Sequence, residues 1–263
     1  MRKLLFFLLF LLAGAGFVFA QDSDESPKVR VSVRVGGVGS LYVSPKGTSI
    51  GLNPSDEYAT NSMKIGVTAG VSVNVPLTPK LFLQTGLMYS MQRNGEHGFA
   101  TYLVNDTNLS VDATIKYKSH HLRLPLMLMY HHTTNPNHFC AGAGVFADVA
   151  MGGRLNYSSS ARLTPGDSYI FEGDFDPFSP GNKYLNYHIA SDEYTQKYLL
   201  GNGPFFKRFN FGVSAEIGYQ ISKVYLGAHL DFGIINMARP EMCGELYKQR
   251  PLDVMVLIGY NIN

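Results

Sequence analysis

Histidine pairs stand at both ends of the segment HHLRLPLMLMYHH, residues 120–132, and histidine is a common zinc ligand. In an extended strand the two pairs lie about 33–37 Å apart, and in a helix they are still about 16 Å apart. Zinc needs each ligand atom within about 2.0–2.2 Å, so the four histidines cannot form one site within this segment. We predict no metal and no cofactor here, and interpret the histidines as polar residues where a strand leaves a membrane on each side.

Acidic and histidine side chains also stand at spacings that could support acid–base catalysis. His229 and Asp231 share one face of a strand, and Asp253 lies toward the same end. However, the chain contains no G-x-S-x-G, no H-E-x-x-H and no glycine-rich phosphate loop. We therefore predict no catalytic residues and no enzyme activity, and keep catalysis by these residues as the alternative.

The elements that must position these residues begin after an export signal. Residues 1–20 combine a basic start, an apolar stretch and small residues before Gln21, which predicts a secretory signal peptide cleaved near Ala20. Without Arg2 and Lys3, 20 basic and 20 acidic residues remain, so nucleic acid is not an expected partner. The predicted divisions are the signal peptide, a mobile periplasmic leader over 21–28 and one β-barrel domain over 29–263.

Apolar and polar residues alternate along most of the chain, as in VRVSVRV and FNFGVSAEIGYQI, and this period of two is typical of β-strands. The pattern predicts an all-β protein with eight strands. Their predicted ranges are 29–42, 63–76, 81–93, 114–131, 138–152, 208–221, 223–235 and 250–262.

The connections between these strands alternate between short and long. The short ones are 76–80, 132–137 and 221–223, and the long ones are 43–62, 94–113, 153–207 and 236–249. Short turns at one end, long loops at the other and an even strand number are typical of an antiparallel up-and-down transmembrane β-barrel with long extracellular loops. The alternative is a soluble barrel or a β-sandwich.

Lysine positions favour the membrane barrel over the soluble alternative. No lysine falls in the interior of a predicted strand, since the lysines of these ranges sit at strand ends, and lysine at the bilayer midplane would cost about 2–4 kcal/mol. Aromatic residues also occur on outward positions near both ends, as in a membrane-interface belt. They are Tyr130, Phe139, Tyr219 and Tyr260 near the short turns, and Tyr89, Phe209 and Phe211 near the long loops.

The segments 64–90, 121–130, 141–153 and 209–237, with the end LIGYNIN, resemble the PorT-like outer-membrane β-barrel family. Their shared patterns are of glycine, apolar and aromatic residues, and they cover most of 63–263. The resemblance implies an eight-stranded barrel in the outer membrane. Some members of that family are linked to the type IX secretion pathway, so the resemblance also implies a possible accessory role in protein secretion.

Charged residues at inward positions predict a polar network that fills the barrel lumen. An eight-stranded barrel is only wide enough for its own side chains, and charges there are tolerated when paired. The alternative is a conductance or proton path along the same residues. They are Arg30, Arg34, Arg123, Asp148, Glu216, His229, Asp231 and Asp253.

The longest predicted loop, 153–207, is the expected ligand or partner surface, because such long connections are usually functional or disordered. Glu172, Asp174 and Asp176 alternate there but lack the EF-hand spacing, so we expect a solvated acidic loop rather than a calcium site. The aromatic residues of the predicted binding surface are Tyr169, Phe171, Phe175, Phe178, Tyr184 and Tyr187.

We therefore predict a non-enzymatic, structural or accessory barrel of the outer membrane, in contact with outer-membrane lipid and with other envelope or secretion-system proteins. The alternative is a small channel, or a barrel that binds surface ligands through its extracellular loops. Cys140 and Cys243 are predicted at opposite ends of the barrel, too far apart for a disulfide.

Overall fold

A computed structural model describes residues 28–43, 56–104, 107–164, 166, 168–189, 195–239 and 249–262. The secondary structure of these residues is almost entirely β. The strands are β1 (Arg30–Val43), β2 (Asp56–Pro76), β3 (Leu81–Val104), β4 (Thr107–His131), β5 (Asn137–Thr164), β6 (Ser168–Phe175), β7 (Asn182–Ile189), β8 (Gln196–Asn202), β9 (Phe209–Ile221), β10 (Val224–Gly233) and β11 (Arg250–Asn261).

Eight of these strands form a closed antiparallel ring. The sheet order runs from β4 through β3, β2, β1, β11, β10 and β9 to β5, and the pairing of β4 with β5 closes it. The first strand pairs with the last, from Ser32 opposite Asn261 to Val43 opposite Arg250. A closed ring leaves no strand edge exposed, which is what a barrel in lipid requires. The predicted eight-stranded antiparallel barrel is confirmed.

Several strands continue beyond the predicted long-loop ends. β3 and β4 pair in one register from Leu81 opposite Tyr130 to Val104 opposite Thr107, with a gap of two residues on each strand. Most of the predicted loop 94–113 is therefore a hairpin. The predicted loop 153–207 holds the end of β5 and the three strands β6, β7 and β8. The loop predictions for these segments were wrong, because ladder pairing continues beyond the level at which the outward side chains turn polar.

The strands β6, β7 and β8 continue the sheet outside the ring. β5 pairs with β9 up to Val149, and beyond that level the same edge of β5 pairs with β6 instead. β7 pairs with β6, and β8 pairs with β7 as the last strand of this extension. We call β6–β8 the long-loop sheet.

The two faces of the ring differ along every strand, and β4 shows the pattern. Leu126, Leu128 and Tyr130 are exposed on the outer face, while Met127 and Met129 are almost fully buried in the lumen. On β9 the same alternation exposes Val213, Ala215 and Ile217 and buries Ser214 and Glu216. Apolar side chains therefore cover the outside and mainly polar ones fill the inside.

The predicted aromatic positions lie on that outer face. Those at the short-turn end include an edge-to-face pair, Phe139 with Tyr219, whose ring centroids are 4.6 Å apart. At the long-loop end Tyr89, Phe209 and Phe211 are exposed. Two bands of outward rings therefore border the apolar surface, as in membrane barrels.

Pro125 interrupts the hydrogen-bonded ladder without shifting it. The β3–β4 pairing stops at Thr85 opposite Leu126 and resumes at Met88 opposite Arg123 in the same register. The side chain of Thr85 donates a hydrogen bond to the Pro125 carbonyl at 3.0 Å. Pro125, which has no N–H to donate to the ladder, therefore causes no bulge at this position.

Two bulges occur elsewhere, both near the long-loop end of the ring. On β2 the register with β3 shifts between Lys64 and Val67. On β5 the register with β4 shifts by one residue, so that Met151 has no partner on β4. Each bulge inserts one extra residue into a strand and changes which face the following residues occupy.

No helix in the described part of the chain is long and apolar enough to cross a membrane. The predicted signal peptide, most of the leader and Cys243 lie outside the described residues. Cys140 is buried and free.

Candidate functional site

The lumen contains two groups of charged side chains, of which the first surrounds Glu216 of β9. Arg34 of β1 and the hydroxyl of Tyr225 of β10 each donate to its Oε1 at 2.7 Å. Gln84 of β3 donates to its Oε2 at 3.3 Å and accepts a hydrogen bond from Arg34 at 2.9 Å. The Arg34 guanidinium also lies over the Tyr225 ring at 4.5 Å. One carboxylate thus joins four strands.

The second group surrounds Arg123 of β4, which faces three carboxylates. Its guanidinium donates to Asp231 of β10, donates to Asp253 of β11 at 2.5 Å, and lies 3.8 Å from Asp148 of β5. The guanidinium stacks over the Phe146 ring at 4.9 Å. All of these side chains are buried, so Arg123 holds three ring strands to β4 from inside.

His229 joins the two groups. Its Nδ1 lies 2.8 Å from Glu216 Oε2, and its Nε2 lies 2.9 Å from Asp231 Oδ1. An ionised carboxylate can only accept hydrogen bonds, and a neutral imidazole has only one donor. Either His229 carries both ring protons or one of the two carboxyl groups is protonated. These three side chains therefore share one net negative charge instead of two.

The network closes the lumen at mid-height. The cavity beside it, between Arg34, Arg123 and Glu216, has a volume of about 20 Å³, which is room for about one water molecule. A hydrated ion does not fit through such a space. Separating these groups to open a passage would expose buried charges without partners, which is costly in a low-dielectric interior.

Seven of the eight residues predicted for the lumen network meet in these two groups. The eighth, Arg30, lies half-buried at the short-turn end, where its guanidinium is 5.2 Å from the centroid of the Phe82 ring. The sequence prediction missed several partners. They are Gln84, Gln92, His121, Ser214 and Tyr225.

Two of the four histidines of 120–132 point into the lumen. His121 is buried, with its Nδ1 2.7 Å from Asp148 Oδ2. His131 is buried at the other end, where its Nδ1 lies 2.8 Å from His138 Nε2 and its ring stacks on Phe82. The interpretation of the histidines as polar residues where the strand leaves the membrane did not place these two in the lumen. Both share the inward parity of Arg123, which is the sequence signal that could have placed them.

An aromatic cap covers the long-loop end of the lumen. Tyr117 of β4, Phe178 and Phe206 pack with ring centroids about 6 Å apart: 5.6 Å for Tyr117–Phe206 and 6.0 Å for Phe178–Phe206. Tyr42 of β1 stands edge-on to Tyr117 at 5.9 Å. Met237 packs against the same cluster, which is buried. The connection between β6 and β7 and the segment after β8 thus fold into the mouth of the ring.

The predicted aromatic binding surface is divided by the structure. Phe178 is buried in the cap and Phe175 stacks on Phe205 at 5.3 Å, so the prediction of Phe178 as an accessible surface residue was wrong. Phe171 and Tyr187 stack on each other across β6 and β7 at 5.7 Å. Tyr169 is half-buried. Tyr184 remains exposed, opposite the exposed Leu199 of β8.

The acidic residues of the long-loop sheet have structural partners. The single Nε–H of Arg154 of β5 is shared between both carboxylate oxygens of Asp174, each 2.8 Å from Nε, and this hydrogen bonding holds the pKa of the Asp174 carboxyl below its usual range. Asp176 accepts a hydrogen bond from the backbone N–H of Phe178 at 2.9 Å. In the described ranges no three His, Cys, Asp or Glu side chains are grouped to hold a metal ion.

Comparisons with known proteins agree with this architecture. A family model described as "Outer membrane protein beta-barrel domain" matches residues 19–239. A search of the curated proteins gives no match. Among solved structures, Ail, the attachment invasion locus protein of Yersinia pestis, is 10% identical, with coverage of 90% of this chain and 100% of that chain and a TM-score of 0.34. OprG from Pseudomonas aeruginosa is 14% identical, with coverage of 89% and 96% and a TM-score of 0.35. These superpositions are loose, and the family match alone identifies the class of the protein.

Proposed function

We infer from this match that the chain belongs to the family of the outer membrane protein beta-barrel domain. We propose that it is a closed, non-enzymatic barrel that anchors an extracellular docking sheet in the outer membrane. With the docking sheet outside the cell, the short turns at the opposite end of the barrel face the periplasm. The long-loop sheet, β6–β8, extends outside the cell surface and meets the partner.

The observation that carries this proposal is that the lumen is filled. The Glu216 and Arg123 groups occupy its middle, and the aromatic cap covers its outer end. A barrel whose interior is occupied by its own side chains acts through its rim, its outer face or its extracellular extension. The arrangement favours a structural or accessory role over conduction.

The long-loop sheet has the features of a docking element. β8 is the last strand of the sheet within the described residues, so it offers backbone groups to an added strand. Beside it Tyr184 and Leu199 are both about half exposed, which provides an apolar contact next to the free edge. An exposed strand edge of this kind binds other chains readily.

We propose that the partner is another envelope protein. The resemblance of 64–90 and 209–237 to the PorT-like family supports a partner in protein secretion of the type IX kind. The competing function is a surface barrel that binds an external ligand through the same sheet.

Mild cross-linking in native membranes, followed by pull-down, separates these functions. The wild-type chain is compared with a variant in which residues 168–204 are replaced by a short Gly-Ser linker. Co-purified envelope or secretion proteins that disappear with the deletion support the proposal. Retention of the same proteins by the variant contradicts the docking role of the sheet. An uncomplexed wild-type chain that binds external ligands supports the competing function.

A planar-bilayer recording tests whether the lumen is closed. The purified wild-type barrel is expected to show no steady conductance. The matched variants are Arg123→Ala and Glu216→Ala, which remove the centre of each group. A steady wild-type conductance that is lost in either variant would show that the network conducts, and the closed-barrel function would be rejected.

A further inference from the structure

A row of basic side chains crosses the outer face of four neighbouring strands. Lys64 of β2 is paired with Arg93 of β3, Arg93 with Lys118 of β4, and Lys118 with Arg154 of β5. All four side chains are exposed. We call these residues the basic row. Lys116, two residues further along β4, is also exposed and extends the positive surface away from the apolar band.

The two bulges place the ends of this row on the outer face. Side chains alternate between the outer face and the lumen along a regular strand. If this alternation continued from the outward Val67 on β2, Lys64 would point into the lumen. If it continued from Val149 on β5, Arg154 would also point into the lumen. The extra residue in β2 and the unpaired Met151 in β5 reverse that parity. The backbone irregularities therefore bring four cations into one line.

Among the described residues, the row has too few acidic partners to be neutralised. Directly opposed like charges on neighbouring strands repel each other. Arg154 is paired with Asp174, but in the described ranges no ion pair joins Lys64, Arg93 or Lys118 to an acidic side chain. A surface of this kind is complementary to an anion with several charges.

The position of the row along the strands indicates what kind of anion it binds. The hydroxyl of Tyr89, in the outer aromatic band, lies 2.6 Å from Nδ1 of His120, and Lys118 is the next outward residue of β4. The row therefore lies just beyond the apolar band, at the depth of lipid headgroups. A hollow of about 380 Å³ opens beside it, where two glycines contribute no side chain. Its lining residues are Lys118, His120, Met151, Gly152, Gly153 and Arg154.

We propose that the basic row binds the phosphate groups of a phosphorylated glycolipid in the outer leaflet of the outer membrane. Arginine and lysine form charge-assisted hydrogen bonds with phosphate oxygens. The acyl chains of the same lipid would lie along the apolar outer stripe of β3 and β4, below Tyr89. This site depends on the membrane location of the barrel and is independent of the docking role of β6–β8.

Native mass spectrometry of the full chain in a neutral detergent tests the site. The protein is titrated with bis-phosphorylated lipid A, with dephosphorylated lipid A and with inorganic phosphate. The test variant is Arg93→Gln/Lys118→Gln. The matched control is Lys80→Gln/Lys223→Gln, which removes two exposed positive charges at the opposite end of the barrel.

The wild-type chain and the control are expected to bind the phosphorylated lipid at least about tenfold more tightly than the other two probes, and the test variant is expected to lose about tenfold or more of that affinity. Equal binding of the two lipids, equal loss in both double variants, or equally tight binding of inorganic phosphate would overturn the proposal.

Thermal unfolding gives a second readout that does not depend on the mass spectra. Without lipid, the test variant is expected to unfold at the wild-type temperature or above it, because two opposed like charges have been removed. With bis-phosphorylated lipid A, the wild-type chain should gain stability and the test variant should not. A variant that is already unstable without lipid, or that gains as much as the wild-type chain with it, contradicts the proposal.

Discussion

At the scale of single residues, Arg123 is the side chain on which most of the lumen network depends. It faces Asp148, Asp231 and Asp253, and all four groups are buried. Arg123→Met would leave three carboxylates without their shared cation, so the free energy of unfolding should fall by about 3–5 kcal/mol. Denaturant unfolding in micelles, followed by tyrosine fluorescence, measures this loss.

The control for that change is Lys80→Met, at an exposed turn of the short-turn end. Its effect should stay within about 0.5 kcal/mol, as for most surface substitutions. If both variants unfold at the same denaturant concentration, Arg123 does not hold the ring together and the network is an incidental arrangement.

Tyr225 reaches Glu216 because glycines leave space beside its ring. A Cβ added at Gly227 would lie 2.1 Å from the Tyr225 hydroxyl oxygen, so the ring would have to move. Gly227→Ala should cost about 1–3 kcal/mol through this overpacking. The cost should be smaller in a Tyr225→Ala background, which removes the oxygen and also the ring carbons that would lie 2.5 and 2.8 Å from the added Cβ. A double-mutant cycle measures the difference, and equal costs in both backgrounds would contradict this account.

The inward direction of the lumen residues could be predicted from sequence, because alternation fixes which face each residue occupies. The contacts could not. Arg34 and Glu216 are far apart in sequence, and their meeting depends on the ring stagger and on which strands become neighbours. The alternation places His121 on the same inward face as Arg123, but the histidine pair suggested metal binding and gave no indication of the contact with Asp148.

At the scale of strands, the outer stripe of β4 sets the depth of the barrel in the bilayer. Leu126 lies in the middle of that stripe, and Leu77 lies in the turn after β2, where the chain leaves the apolar band. Leu126→Arg should destabilise the inserted barrel by about 2–4 kcal/mol, whereas Leu77→Arg should cost about 0–1 kcal/mol. Unfolding from lipid vesicles measures both, and equal costs would place Leu126 outside the hydrocarbon core.

The strand positions in the ring could be read from period-two patterns, but the extensions could not. In 108–113 and 154–163 the outward positions are mostly polar and the inward positions mostly apolar, so the outward apolar stripe that marks the ring strands stops before these segments. The bulges near Gly66 and Met151 could not be predicted from the sequence either. A one-residue shift leaves the composition unchanged and is decided by pairing with neighbouring strands.

At the scale of the whole molecule, ring closure makes the barrel stable only as a complete set of strands. Removal of β11 (residues 250–263) would leave the edges of β1 and β10 unpaired in lipid, where each unsatisfied backbone group costs several kcal/mol. We expect this truncated chain to fail to insert, and a heat-modifiable band on a cold detergent gel to disappear.

The linker variant that lacks residues 168–204 is the matched comparison, because it removes more of the chain but no ring strand. It should retain the heat-modifiable band. If it fails to insert while the truncated chain inserts, stability depends on the long-loop sheet and not on closure of the ring.

The unpaired Met151 on β5 also determines which losses of a single residue the gene can tolerate. Residues on the two sides of this bulge already match their β4 partners, with His121 opposite Ala150 and His120 opposite Gly152. Loss of the Met151 codon would therefore straighten the strand and leave every other side chain on its present face. Loss of the Val145 codon would instead exchange the lipid and lumen faces of the neighbouring stretch. Among natural variants of this chain, in-frame deletions in β5 should therefore be found at the bulge.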